Sequence, residues 1–199
     1  MGKTVFDISM SLDGFITASG QTAEAPMGDG GEHLHDWAFG ADETNRRFLE
    51  RAGEALGAVI CGRRTYDHSL PWWGADGPTG SARRPVFVVT HEAPTENAAG
   101  GVYRFVTDGI EKALERARAA AGDKDVTIMG GADLGRQYLA AGLADEISIH
   151  LVPVLFGTGT RMFESLHNGH IRLDPTDVLS TPTATHLGYR IVTKRDLVP

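Results

Sequence analysis

A chain of 199 residues, 41% hydrophobic and 23% charged, has the composition of a folded globular protein with room for one sizeable core, and residues 1–199 are expected to form a single domain. Its net charge of −7 argues against a general nucleic-acid or anionic-membrane surface, and its single cysteine, Cys61, excludes an intrachain disulfide. No apolar run approaches membrane-spanning length and the stretch from Lys3 to Met10 has no leader-like core, so a soluble cytoplasmic protein is expected.

Thr4 to Met10 alternates as a strand and ends in the turn Ser11-Leu12-Asp13-Gly14, after which Phe15, Ile16 and Thr17 continue it. Residues 18 to 40 read as a long glycine-rich loop, a length that points to function, and it carries Trp37 and Phe39. A helix is predicted from about Asp42, with Phe48, Leu49, Ala52 and Leu56 on its apolar face, Asn45, Arg46, Arg47 and Glu50 off it, and Gly57 as its stop. Ala58 to Cys61 is a continuous apolar run, as expected of a strand covered on both faces, and it runs into Gly62-Arg63-Arg64-Thr65. Residues 70 to 84, with Pro71, Trp72 and Trp73, read as a loop. Val86 to Val89 is the next buried strand, ending at Thr90-His91, and 101–106 a further short one. Asp108 is placed to cap a helix with Glu111 three residues on, and Ile110, Ala113, Leu114 and Ala117 form its stripe. Val126 to Met129 leads into Gly130-Gly131 and then a helix through Leu134, Tyr138 and Leu139 that closes at Gly142. Glu146 to Val152 alternates as a strand, and 178–181 with 185–194 suggests a closing antiparallel hairpin.

Three apolar strands, 58–61, 86–89 and 126–129, each end in a turn or loop, which is the repeat of a parallel α/β sheet whose ligands gather at the carboxyl ends of the strands. Gly130-Gly131 lets a backbone approach a ligand closely, and the helix behind it offers free N–H groups to an anion. Arg63 and Arg64 offer planar forks and Thr65 a hydroxyl, a combination suited to phosphate. Taken singly, the same residues could be a tight bend and two solvated arginines. Their convergence at three strand ends favours a nucleotide cleft. The glycines do not spell the dinucleotide fingerprint of an ordinary Rossmann enzyme. His33 and His35 lack a third ligand at metal spacing, so no metal is expected.

Val59-Ile60-Cys61-Gly62-Arg63-Arg64-Thr65-Tyr66 and Ile128-Met129-Gly130-Gly131 resemble the two cofactor turns of dihydrofolate reductases. A longer series resembles the reductase domain of the riboflavin-biosynthesis deaminase-reductases: Ser11 to Gly14, Gly130 to Leu134, Ala141 to Glu146 and Pro153 to Phe163. The zinc deaminase partner domain has no counterpart here, since one cysteine cannot build its site. The resemblance implies a dihydrofolate reductase-like three-layer α/β/α fold, with a mixed, mainly parallel sheet and a C-terminal antiparallel hairpin. It also implies an NADPH-dependent reductase acting on a small heterocyclic (pterin- or pyrimidine-like) or carbonyl substrate, and a homodimer. By that analogy Arg63, Arg64 and Thr65 hold phosphates, Gly130, Gly131, Ala132, Asp133 and Leu134 wrap the pyrophosphate and ribose, and Thr90 and His91 border the adenosine. Asp133 stands where dihydrofolate reductases often place an arginine, so preference for NADPH over NADH rests on Arg63 and Arg64.

On the substrate side, Asp13 is a candidate for orienting substrate or a plain Asp-Gly turn. Asp42 is a candidate carboxylate or a helix cap. Glu146 resembles a position near the substrate or is half of a strand-edge charge pair. Trp37 and Trp72, with Trp73, could stack on a planar substrate or serve as lids and packing. The rival from another class is a non-catalytic nucleotide-binding sensor or dimer scaffold of the same fold.

Overall fold

The computed structural model describes residues 2–94, 101–164 and 169–192. Its strands are β1 (Thr4–Ser11), β2 (Phe15–Ala18), β3 (Leu56–Gly62), β4 (Val86–Val89), β5 (Tyr103–Val106), β6 (Asp125–Met129), β7 (Glu146–Val152), β8 (Gly159–Arg161), β9 (Leu173–Ser180) and β10 (Thr185–Ile191). The helices are α1 (Asp36–Phe39), α2 (Glu43–Ala55), α3 (Arg63–Trp73), α4 (Ile110–Ala121) and α5 (Ala132–Ala140). Eight strands form one sheet in the order β5-β4-β3-β6-β1-β7-β10-β9. The first six run parallel, and β10 and β9 add antiparallel at one edge, so the sheet is mixed and mainly parallel with a closing hairpin. β2 leaves this sheet and pairs with β8 in a separate two-stranded ribbon.

The pleat sorts side chains between two helical layers. On one face Phe6, Ala58, Ile60, Phe87, Val126, Ile128, Ile147 and Ile149 pack with Ala113, Leu114 and Ala117 of α4 and Leu134, Tyr138 and Leu139 of α5. α5 lies very close to β1, because a Cβ on Gly135 would stand 2.5 Å from the Phe6 ring. On the opposite face Val59, Cys61, Val86, Val88 and Tyr103 pack with Tyr66, Leu70 and Trp73 of α3. Further along that face Trp37 of α1 and Phe48 of α2 cover β7 and β10.

Four local expectations change. Gly57 does not stop the helix but lies inside β3, where a Cβ would press on Ala121 and Lys124 at 2.7 and 2.8 Å; α2 passes into the strand at Leu56. Residues 70 to 73 are helical despite Pro71, which sits in the last turn of α3; the burial of Tyr66, Leu70 and Trp73 on the sheet outweighs the lost N–H donor. The cap of α4 is Gly109 rather than Asp108, whose carboxylate instead pairs with Arg116 at 2.9 Å. On α2 the fully buried residue is Asn45, at 1% exposure, while Leu49 is 37% exposed. A polar residue has taken the inward position there because it has polar partners beneath it.

Candidate active site

The carboxyl ends of β4, β3 and β6 are adjacent in the sheet, and two of them run directly into helices. Gly62 ends β3 and is the N-cap of α3; Gly131 follows β6 and is the N-cap of α5. Gly130 and Gly131 take φ of +69° and +78°, which turns the chain back against Thr65, with the Thr65 hydroxyl 3.4 Å from where a Gly131 Cβ would stand. Neither helix start has a side-chain cap. The first-turn N–H groups of α3 and α5 therefore remain for a ligand, and two positive dipole ends meet at one junction.

Arg63 stands at this junction, its Nε donating to both Asp67 oxygens at 2.8 and 2.9 Å and its Nη1 to the Glu92 carbonyl at 3.3 Å. It ties the end of β4 to the start of α3. The Arg64 side chain is exposed and makes no hydrogen bond or ion pair to another described residue. Thr90 closes its own turn by donating to the Glu92 carbonyl at 2.8 Å, and His91 is exposed beside it. The side chains of Ala132 and Leu134 point into the core, so these residues offer a ligand only backbone, and exposed Asp133 accepts from Gln137 at 2.8 Å.

Next to this junction the sheet has a half-open floor. α3 covers β3 and β4, and α1 and α2 cover β7 and β10, but between them Val5 and Asp7 of β1, Thr127 and Met129 of β6 and Ser148 of β7 stay only half-buried. In register Asp7 lies between Met129 and Ser148, and Met129 immediately precedes Gly130. The floor thus runs up to the glycine turn.

A buried polar row leads away from Asp7. His150 Nε2 stands 3.1 Å from Asp7 Oδ2, His150 Nδ1 is 2.9 Å from His186 Nδ1, and His186 Nε2 is 2.9 Å from Asn45 Oδ1. Asn45 Nδ2 donates to Thr183 Oγ1 at 2.9 Å. Trp37 roofs the row, its ring centroid 4.2 Å from that of His150 and its Nε1 donating to Ser9 Oγ at 3.0 Å. Phe48 stacks on His186 with centroids 4.5 Å apart. Burial works to raise the Asp7 carboxyl, but the charge and hydrogen bond of His150, then Ser148 and His186, outweigh it and hold it low. Burial and the neighbouring His150 depress His186 to about 4. Burial and the same neighbour lower His35 against the opposing pull of Asp36.

The structure sorts the substrate-side candidates. Trp37 is 4% exposed and belongs to the roof. Asp42 is the N-cap of α2, accepting from Asn45 N at 2.9 Å, and so touches the row through Asn45. Asp13 turns to the 153–158 loop, accepting from Ser11 Oγ at 2.6 Å, Phe156 N at 3.2 Å and Gly157 N at 2.7 Å; the Ser11 hydroxyl and those amides lower its pKa. Glu146 lies at the amino end of β7 in an ion pair with Lys3 at 2.6 Å, away from the glycine turn. Trp72 is 67% exposed at the end of α3 and takes no part in the floor. His33 pairs with Asp36 at 2.8 Å, and among the described residues no group of three or more His, Cys, Asp or Glu could hold a metal ion. Among the described residues no helix is long and apolar enough to cross a membrane.

Sequence reading missed Asp7, His150, His186 and Asn45. A signal was present: Asp7, Ser9 and Ser11 alternate on one face of β1 against Phe6, Ile8 and Met10, and His150 shares a phase with Ser148.

Comparison with known proteins agrees with this architecture. The chain is 25% identical over 171 residues to the uncharacterized protein YyaP of Bacillus subtilis (strain 168), covering 81% of this chain and 80% of that one. Its fold matches that of a candidate riboflavin biosynthesis protein from Shewanella sp. PV-4 with a TM-score of 0.72 at 20% identity, over 96% of this chain and 99% of the other. It also matches dihydrofolate reductase from Enterococcus faecalis, solved with NADP(H), with a TM-score of 0.55 at 15% identity over 96% of each chain. The fold is therefore dihydrofolate reductase-like. The RibD C-terminal domain family model matches residues 3–187, and with nearly the whole length matched the chain belongs to that family.

Proposed function

We propose that this chain is an NADPH-dependent reductase that transfers a hydride to a small heterocyclic (pterin- or pyrimidine-like) or carbonyl substrate lying over Asp7, Thr127 and Met129. The observation that carries the reading is the junction of α3 and α5. There two uncapped helix starts, the Thr65 hydroxyl and the Gly130-Gly131 turn face one another beside a half-open sheet floor. These residues fit a dinucleotide phosphate: both glycines take positive φ, and a Cβ at Gly130 would also press on Thr65 at 3.0 Å, so the turn suits glycine at both positions. Membership of a reductase domain family supports the same reading.

In this site Gly130, Gly131 and the first turn of α5 would bind the pyrophosphate through backbone N–H groups, with Thr65 beside them. Arg64, and Arg63 where it is not engaged by Asp67, would hold the ribose phosphate that distinguishes NADPH from NADH. NADPH bound there supplies the hydride. Trp37 and Phe48 keep water from the inner wall, and Met129 gives a planar ring an apolar rest.

Binding of NADPH and NADH, followed by quenching of tryptophan fluorescence, tests the assignment, with NADPH oxidation over panels of pterins and pyrimidines testing turnover. Submillimolar binding is expected for NADPH, and no binding of either nucleotide would sink the reading. Replacing Arg63 and Arg64 by Ala should weaken NADPH more than NADH, by about tenfold for each lost charge-assisted contact; equal weakening would remove the phosphate role.

A further inference from the structure

The orientation of Asn45 sets how many protons the buried polar row holds. Asn45 turns Oδ1 to His186 and Nδ2 to Thr183. An amide oxygen only accepts, so His186 Nε2 carries a hydrogen. Burial keeps His186 neutral, its pKa lowered to about 4, so its Nδ1 is bare and accepts from His150 Nδ1 across 2.9 Å. The other nitrogen of His150 then faces the Asp7 carboxyl at 3.1 Å. Two lone pairs would repel at that distance. The contact needs one proton, and with the Asp7 carboxyl held low that proton sits on His150, as an imidazolium facing a carboxylate.

This proton store opens on one side only. The His150 side chain is 2% exposed and that of Asp7 is 31% exposed, on the floor beside the glycine turn. The groups that face His150 are Asp7 from β1, His186 from β10, Trp37 from α1, Phe48 from α2 and, electrostatically, His35 just before α1. Asp42 and Asp177 act on His186 behind it.

We propose that the Asp7–His150 pair is the proton source of the reduction, an inference that rests on the reductase reading above. Asp7 is the catalytic residue at the substrate; His186 and Asn45 are positioning residues that fix the tautomer of His150. In the step, the hydride and its electron pair form a C–H bond to the carbon of a C=N or C=O group. The π electrons move to the nitrogen or oxygen, and the proton of the pair forms the N–H or O–H bond there. NADPH is oxidised and the substrate is reduced by two electrons. The emptied pair sets a lone pair of His150 against a carboxylate, and that repulsion draws a replacement proton from water at the exposed edge of Asp7. Rate falls as pH rises, because a pair emptied of its proton has nothing to donate.

Nitrogen-15 NMR of the histidine rings, on the full chain without ligand at pH 7, reads the store directly. His150 is expected to carry hydrogen on both nitrogens and His186 on Nε2 alone; a neutral His150 ring overturns the proposal. Asp7→Asn should convert His150 to a neutral ring. With the pterin or pyrimidine that the wild-type chain reduces, Asp7→Asn and His150→Gln should each lower kcat about 100-fold or more. The pH dependence should vanish while NADPH affinity stays within about twofold. Asp7→Asn with wild-type kcat overturns the proton role alone. A wild-type chain that neither binds nor oxidises NADPH overturns the reductase reading and this inference with it, whatever the rings show.

Discussion

Gly131 shows how little room the nucleotide turn leaves. At φ +78° an alanine there costs about 1–2 kcal/mol from the backbone alone, since its Cβ would meet Thr65 only at ordinary contact distance, 3.4 Å. Gly131→Ala should therefore lower the unfolding free energy measured by urea titration by that amount and weaken nucleotide binding. Replacing Trp37 with Phe removes the 3.0 Å bond to Ser9 and leaves a buried hydroxyl unsatisfied, a loss of about 1–3 kcal/mol in the same measurement. Both glycines of the turn were legible in the sequence, because a pair after an apolar strand and before a helical period has few other uses. The role of Trp37 was only half legible. Its loop position suggested substrate stacking, a lid or packing; burial against two histidines makes it packing, and no local pattern could name those histidines.

Elements obey their own periodicity until a neighbour overrides it. The period of α5 is plain in the sequence, yet its Gly135 looks replaceable by a better helix former worth about 1 kcal/mol. Phe6 decides otherwise: a Cβ would enter its ring at 2.5 Å, an overpacking of about 1–3 kcal/mol, so Gly135→Ala should be destabilising in net by equilibrium unfolding. The same logic explains α2. Its apolar residues suggested that Leu49 and Ala52 face inward, but the row beneath is polar and Asn45 takes that place. β3 and α3 show the converse, where Gly57 and Pro71 read locally as breaks and the packing of α4 and of Tyr66, Leu70 and Trp73 carries the elements through them.

For the whole molecule the buried row links stability to pH. His186 has its folded pKa lowered from 6.5 to about 4, so the unfolded chain binds that proton first as pH falls. Its contribution is complete above about pH 6.5 and lost between there and about pH 4, up to about 3 kcal/mol, and the depressed Asp7 adds a loss of the same sign at still lower pH. Urea midpoints at pH 6, 5.5 and 5 should fall in that order, and a flat series would contradict the burial of a neutral His186. Cys61, fully buried in β3 with its thiol pushed up to about 12, should resist thiol reagents until the chain unfolds. The sequence by itself determined the layers, the strands with their covered faces, and the glycine turn with its arginines, because alternation and helical period record which side of each element is hidden. Only the tertiary structure decided that Asp7, His150, His186 and Asn45 meet. Strand order and register bring those four together across more than a hundred residues of chain, and a local pattern carries no information about either.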